Sequence, residues 1–180
     1  MKNQLKNLKF VAALAMLAAI SIVCGKYLGI NVGEFMRFSL ESMPIIFAGI
    51  AFGPVAGAAV GIVADLVGCV MVGWMPIPWV TVGAAVIGVV SGGINLLLKK
   101  TPLPSWLKTA IVVFSAHLMG SVLIKTIGLA DFYHMSYTVL MLWRMLNYLI
   151  VGIIDGTIIY ILMKNKGISM QIKEFGGKDI

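Results

Sequence analysis

The chain has 180 residues, of which 60% are hydrophobic and only 12% charged, with a mean hydropathy of +1.00. About a quarter of an ordinary soluble domain is charged because its surface must be wetted, so this composition excludes a water-soluble globule. The net charge of +7 would suit nucleic acid, but no basic, aromatic-studded segment stands apart from the apolar runs, and that class is set aside too.

A helix crossing a hydrocarbon layer of about 30 Å needs about 20 mostly apolar residues. The first such run covers about 8–28 (FVAALAMLAAISIVCGKYL) and follows Lys2, Lys6 and Lys9. Cations before an apolar run also mark cleaved signal peptides, but no small-x-small site ends this one, so it is read as a retained span. The next run, PIIFAGIAFGPVAGAAVGIVADLVGCVMVGW, is too long for one helix and contains Gly53-Pro54. Proline cannot continue a helix from within, and it biases the preceding residue away from helical geometry. Two helices follow, at about 41–52 and 54–73, the first unusually short. Three more fall at about 79–98, 106–128 and 138–163. The fold class expected is an all-α integral membrane bundle of six transmembrane helices in a single domain over 1–180.

Lysine placement orients the bundle. Lys2, Lys6 and Lys9 precede the first span, Lys99, Lys100 and Lys108 flank the fourth connection, and Lys164, Lys166, Lys173 and Lys178 form the tail. Six spans put these three segments on one face, which the positive-inside rule makes cytoplasmic, so both termini are expected there. Cys24 and Cys69 lack any Cys/His spacing for a metal and are read as small packing residues, and no cofactor is expected.

Four basic residues remain, and all fall toward the opposite face: Lys26, Arg37, Lys125 and Arg144. A cation at a helix centre costs about 2.5–3.5 kcal/mol on insertion scales, so each needs a partner or a wet cavity. Asn147 and Tyr148 share a helix face with Arg144. His117, Ser121 and Lys125 recur every four residues as a polar stripe, and Asp65 lies between Gly61 and Gly68. The outward connections add Asn31, Glu34, Arg37 and Glu41, then Trp74 and Trp79 around Pro76 and Pro78, then Phe132, Tyr133, His134 and Tyr137. Each has a plainer reading: Lys26 and Lys125 snorkelling to the interface, an Arg144–Asp65 structural pair, His117 as a hydrogen-bonded core residue, the aromatics as a lipid belt. Convergence on one face favours a pocket for a flat, anionic ligand.

Small residues form a second pattern. Ala15 and Ala19 make an AxxxA pair on the first helix, and Gly49, Gly53, Gly57 and Gly61 recur every four residues. Such spacing permits close helix contact in lipid, within the chain or, for the alanines, with another membrane protein. No phosphate-binding loop, HExxH or GxSxG is present, so energy for uphill movement would have to come from another chain.

Arg37 with the run LESMPIIFAGIAFGPVAGAAVGIVADLVG, then PIPWVTVGAAVIGVVSG, HLMGSVLIKTIGL and LWRMLNYLIVGIIDGTIIYIL, resembles the substrate-binding subunits (S components) of energy-coupling factor vitamin transporters, nearest to the folate group. The likeness runs from about Phe10 to Lys164. It implies a six-helix bundle in a bacterial cell membrane that captures a vitamin from outside in a pocket closed by outer loops. It also implies docking, through Ala15 and Ala19, on a transmembrane coupling subunit that carries two cytoplasmic ATPases. On this resemblance folate is the expected ligand: its pterin would stack on Trp74, Trp79 or Tyr133 and pair with Asp65 or Glu41. Its dianionic tail would seek Arg37, Lys125 or Arg144, the two arginines first because a guanidinium grips a carboxylate in two-pronged fashion. The alternatives are another vitamin (pantothenate, riboflavin or a queuosine precursor), a lipid-acting membrane enzyme using Asp65 and His117 as acid and base, and a purely structural subunit.

Overall fold

The computed structural model describes residues 8–32 and 36–175; Lys2, Lys6, Glu34 and Lys178 lie outside them. Helix α1 is Leu8–Tyr27, its last turn Val23–Tyr27 wound as a π-helix. Strands β1 (Ile30–Val32) and β2 (Met36–Phe38) pair antiparallel with Asn31 opposite Arg37. Then come α2 (Ser42–Phe52), α3 (Pro54–Met71) and α4 (Pro78–Leu98). Helix α5 (Ser105–Tyr133) contains a π-helical stretch at His117–Ile124. Helices α6 (Tyr137–Lys164) and α7 (Lys166–Glu174) complete the described chain.

Five of these helices, α1, α3, α4, α5 and α6, are long and apolar enough to cross a membrane. Helix α2 has 11 residues, or roughly 16 Å at 1.5 Å per residue, about half the hydrocarbon layer. It stops where the sequence says it should. Gly53 sits at φ 101°, a backbone region closed to most side chains, and Pro54 opens α3, where its missing N–H costs nothing.

Two connections and the tail differ from the sequence reading. The first, expected as a loop, holds the β1–β2 hairpin. The fifth span continues to Tyr133 rather than ending near 128, so Phe132 and Tyr133 are helical; His134, left-handed at φ 52°, ends it. The basic tail forms α7, capped by the Asn165 side chain accepting from the Gly167 N–H at 2.9 Å, with Ile172 buried against the core.

Helices α2, α3 and α4 pack with backbones almost touching. A Cβ at Gly57 would lie 2.8 Å from both the Gly49 Cα and the Gly88 carbonyl oxygen, and one at Gly88 would overlap the Gly57 backbone. Of the every-fourth glycines, Gly49, Gly57 and Gly61 therefore serve contact within the chain, while around Gly53 the space is open and its role is the turn. In lipid, where apolar surface alone gives helices little reason to associate, such close van der Waals contact is what holds them together.

The helices alternate in direction, giving the bundle two unlike ends. At one, Lys9 pairs with Glu174 at 2.6 Å, Phe10 packs edge-on against Phe52 at 5.4 Å, and Lys99, Lys108 and Lys164 line a common cavity. At the other lie Lys26, Arg37, Glu41, Asp65, Lys125 and Arg144. Below these are the lysine end and the cavity end.

Candidate functional site

The cavity end holds a space of about 660 Å³ enclosed by the ends of α1, α3, α4, α5 and α6, with Glu41, the N-cap of α2, on its wall. Because α2 spans only half the layer, the space above it is free of helix, and the hairpin and the polar side chains occupy it. Seven of the nine residues expected to bind substrate line this space: Arg37, Glu41, Asp65, Trp74, Lys125, Tyr133 and Arg144. Lys26 and Tyr148 join them.

Two lysines are spoken for. Lys26 Nζ lies 3.6 Å from Asp65 Oδ1, and Lys125 Nζ lies 3.6 Å from Glu41 Oε1. Their side chains are only 7% and 6% exposed, which rules out snorkelling: they point into protein. Asp65 also accepts from the Thr81 hydroxyl at 2.6 Å. The Arg144–Asp65 pair considered from sequence does not form, because α3 offers its carboxylate to α1 and α4 instead.

The arginines are held without a carboxylate among the described residues. Arg37 donates to the carbonyls of Gly25 (2.6 Å) and Lys26 (2.9 Å) at the π-helical end of α1. Its guanidinium carbon lies 4.7 Å from the Trp74 ring centroid, and its Nε is buried without a hydrogen-bond partner among the described residues. Lys26 approaches the same ring, with Nζ at 5.4 Å. Arg144 donates twice to the Ser121 carbonyl, at 3.1 and 2.9 Å, and once to the Tyr148 hydroxyl at 3.3 Å. The acceptor lies within the π stretch of α5, an irregularity frequently found at functional sites. Asn147 donates to the Arg37 carbonyl at 3.1 Å and so pins the hairpin to α6.

Among the described lining residues, four cations (Lys26, Arg37, Lys125, Arg144) face two carboxylates (Glu41, Asp65), a difference of +2. Buried charge left uncompensated is expensive, and hydrogen bonds to carbonyls offset only part of the cost. The excess of positive charge lies beside a wall carrying Trp74, Phe132, Tyr133 and Tyr148.

Two expected residues stand apart from this lining. Trp79 is half-exposed, with its Cβ packed on Gly128 of α5. His117 is buried, with Nε2 3.0 Å from Asp155 Oδ2 and Nδ1 3.5 Å from the Ser121 hydroxyl. It reaches the cavity only through Tyr148, on which its ring stacks at 5.0 Å. Sequence reasoning passed over Asp155; the signal available was a lone carboxylate in mid-span, which lipid makes costly. Ala15 and Ala19 are both exposed on one face of α1, while Ala18 and Ile22 turn inward.

A family model described as "ECF transporter, substrate-specific component" matches residues 9–163. A sequence search of curated proteins finds no match. Among solved structures, FolT bound with folic acid superposes with a TM-score of 0.70 at 19% identity, over 87% of this chain and 93% of that one. An S component of a bacterial ECF transporter gives 0.66 at 18% identity, covering 86% and 92%. The S component for biotin from an ECF-type ABC transporter gives 0.64 at 19% identity, covering 93% and 97%. At such identities these likenesses establish the fold. The family match establishes more: the chain belongs to the substrate-specific components of ECF transporters, which are substrate-binding transport subunits and not enzymes.

Proposed function

We propose that this ECF substrate-specific component binds a flat-ringed vitamin of the folate class, carrying two negative charges, in the cavity between the hairpin and α6. One observation carries the reading: two guanidinium groups, Arg37 and Arg144, face the cavity with no carboxylate partner among the described residues, and the lining has an excess charge of +2. A dianion balances that excess. A monoanion such as pantothenate would leave one cation unmatched, and a neutral ring such as riboflavin two. A guanidinium forks onto a carboxylate with two parallel bonds, and Trp74 and Tyr133 offer faces for a ring. Asp65 and Glu41, held by the lysines, remain as acceptors for its N–H groups. Trp79 and His117 belong to the site as supports, Trp79 by seating α5 and His117 by stacking under Tyr148. The similarity to FolT with folic acid agrees with this cargo; the similarity to the biotin S component keeps other vitamins as the runner-up.

In this reading the lysine end faces the cytoplasm, α2 counts as the sixth, short segment, and the cavity opens outward in a bacterial plasma membrane. The exposed Ala15–Ala19 face of α1 receives the transmembrane coupling subunit, whose two ATPases supply the energy. The test is a titration of the purified chain with folate, followed by tryptophan fluorescence and calorimetry, against a panel of vitamins in a thermal-shift assay. Saturation at one folate per chain supports the proposal. Heat and stabilisation with a different vitamin instead would keep the family and overturn the cargo.

A further inference from the structure

Deeper in the bundle than the vitamin cavity lies a buried ionisable pair. Asp155 on α6 is 0% exposed and His117 on α5 is 1% exposed, with Oδ2 and Nε2 3.0 Å apart. Asp155 follows Arg144 by eleven residues (155 − 144) on the same helix, or roughly 16 Å along its axis. The second carboxylate oxygen, Oδ1, is buried with no hydrogen-bond partner among the described residues.

Two residues touch both this pair and Arg144. Ser121 accepts from Arg144 at its carbonyl, and its hydroxyl lies 3.5 Å from His117 Nδ1. Tyr148 accepts from Arg144 at its hydroxyl, and its ring stacks on that of His117 at 5.0 Å. Whatever fixes His117 therefore fixes both acceptors of the guanidinium.

An isolated carboxylate at this depth is costly, and so is an isolated imidazolium. The pair is neutral when carboxylate and ring hold one proton between them. Only an imidazolium carries a proton on both ring nitrogens. In that state Nε2–H donates to Asp155, Nδ1–H donates to the Ser121 hydroxyl, and the charged ring lies against the Tyr148 face. Little else competes. Helices α2 and α4, which pack on α5 and α6, carry no ionisable side chain. Helix α1 brings the Cys24 thiol within electrostatic reach of Asp155, and β2 brings Arg37, whose carbonyl meets Asn147. The ionisable groups of α7 belong to the lysine end. The charge that acts on Asp155 is that of His117.

We infer, on the reading that Arg144 meets the vitamin, that Asp155 and His117 are positioning residues, which share one proton and through Ser121 and Tyr148 hold Arg144 in its binding geometry. Loss of that proton leaves a net negative charge beneath Tyr148 and removes one ring N–H. Both changes oppose an anionic vitamin, so affinity falls as pH rises, and by linkage vitamin binding favours the protonated pair.

The test is vitamin affinity by calorimetry on the purified full chain, with folate as probe, between about pH 6 and about pH 9. Wild type, Asp155→Asn, Arg144→Ala and the double variant are compared. D155N keeps the shape of the side chain and removes its charge. It is expected to weaken binding at least fivefold at the acid end. The ratio to wild type is expected to fall to twofold or less at the alkaline end, where the wild-type pair has lost its proton. Titration of the vitamin itself enters both chains alike and cancels from the ratio. In the R144A background, D155N is expected to cost less than a further twofold, because the group it positions is gone. A ratio constant with pH, or losses that simply multiply in the double variant, overturns the inference and leaves the vitamin site standing. Wild-type affinity in D155N beside a weakened R144A does the same. Wild-type affinity in R144A overturns the inference together with the site it rests on. Should folate not bind, the vitamin of the panel that stabilises the chain replaces it as probe, and binding by none overturns both. Should D155N not elute as wild type, H117Q replaces it, with the same expected ratios.

Discussion

The contact region of α2, α3 and α4 and the cavity region above it are built on opposite principles. In the first, glycines bring backbones together until a single added carbon would collide, and no charge is needed. In the second, helices are held apart by long polar side chains, two stretches of π-helix interrupt α1 and α5, and four cations share two carboxylates. The difference teaches where stability and function reside. Van der Waals contact sets the fold, and the polar half is supported by that fold while its described lining keeps more cations than carboxylates.

The sharpest way to break this division is Gly88→Leu, since even its Cβ would overlap Gly57. Overpacking a well-filled core costs about 1–3 kcal/mol, and more where the obstacle is backbone. Loss of the monodisperse peak on size exclusion is expected; a folded variant that binds vitamin normally would refute the role given to the glycine contact. Next in size, replacing Ala15 or Ala19 with Trp is expected to abolish transport in cells supplied with the coupling proteins, with binding by the purified chain unchanged. Transport surviving in both variants would remove α1 from the docking surface.

Arg144→Ala belongs to the other region and is expected to weaken vitamin binding at least tenfold, or about 1.4 kcal/mol, in a chain that still elutes as wild type. Equal affinity would take Arg144 out of the site. The smallest effect is expected at Glu174→Gln. The Lys9 ammonium, by hydrogen bond and charge, holds the Glu174 carboxyl below its ordinary range. A lowered carboxyl stabilises the fold above its unfolded value, and the contribution fades as pH falls through the folded one. Both partners are more than half exposed, so solvent screens the pair and the melting temperature of E174Q should stay within scatter of wild type from neutral to acid pH.

Much of this was legible in the sequence because single residues carry it. Gly53-Pro54 fixes the break between α2 and α3, and four cations away from the lysine end announce a polar site. What could not be read depends on partners distant in the chain. Lys26 meets Asp65 across 39 positions (65 − 26) and Lys125 meets Glu41 across 84 (125 − 41); no local spacing encodes either. The extension of α5 to Tyr133 was hidden because KTIGLADFYH has the polar, aromatic composition of a loop, while packing on α4 and α6 keeps it helical. The hairpin was missed for a related reason. Strands of three residues are too short to show alternation.

The +2 imbalance of the cavity also bears on electrical work. Carrying one elementary charge across the full membrane potential involves about 2.3 kcal/mol per 100 mV. An empty site moved across the layer would therefore feel about twice that, whereas a site filled by a dianion is neutral and the potential does almost no net work on it. In the proposed reading, filling the site with a dianion would cancel the cavity's own share of that electrical work, while the lysines at the other end would keep theirs.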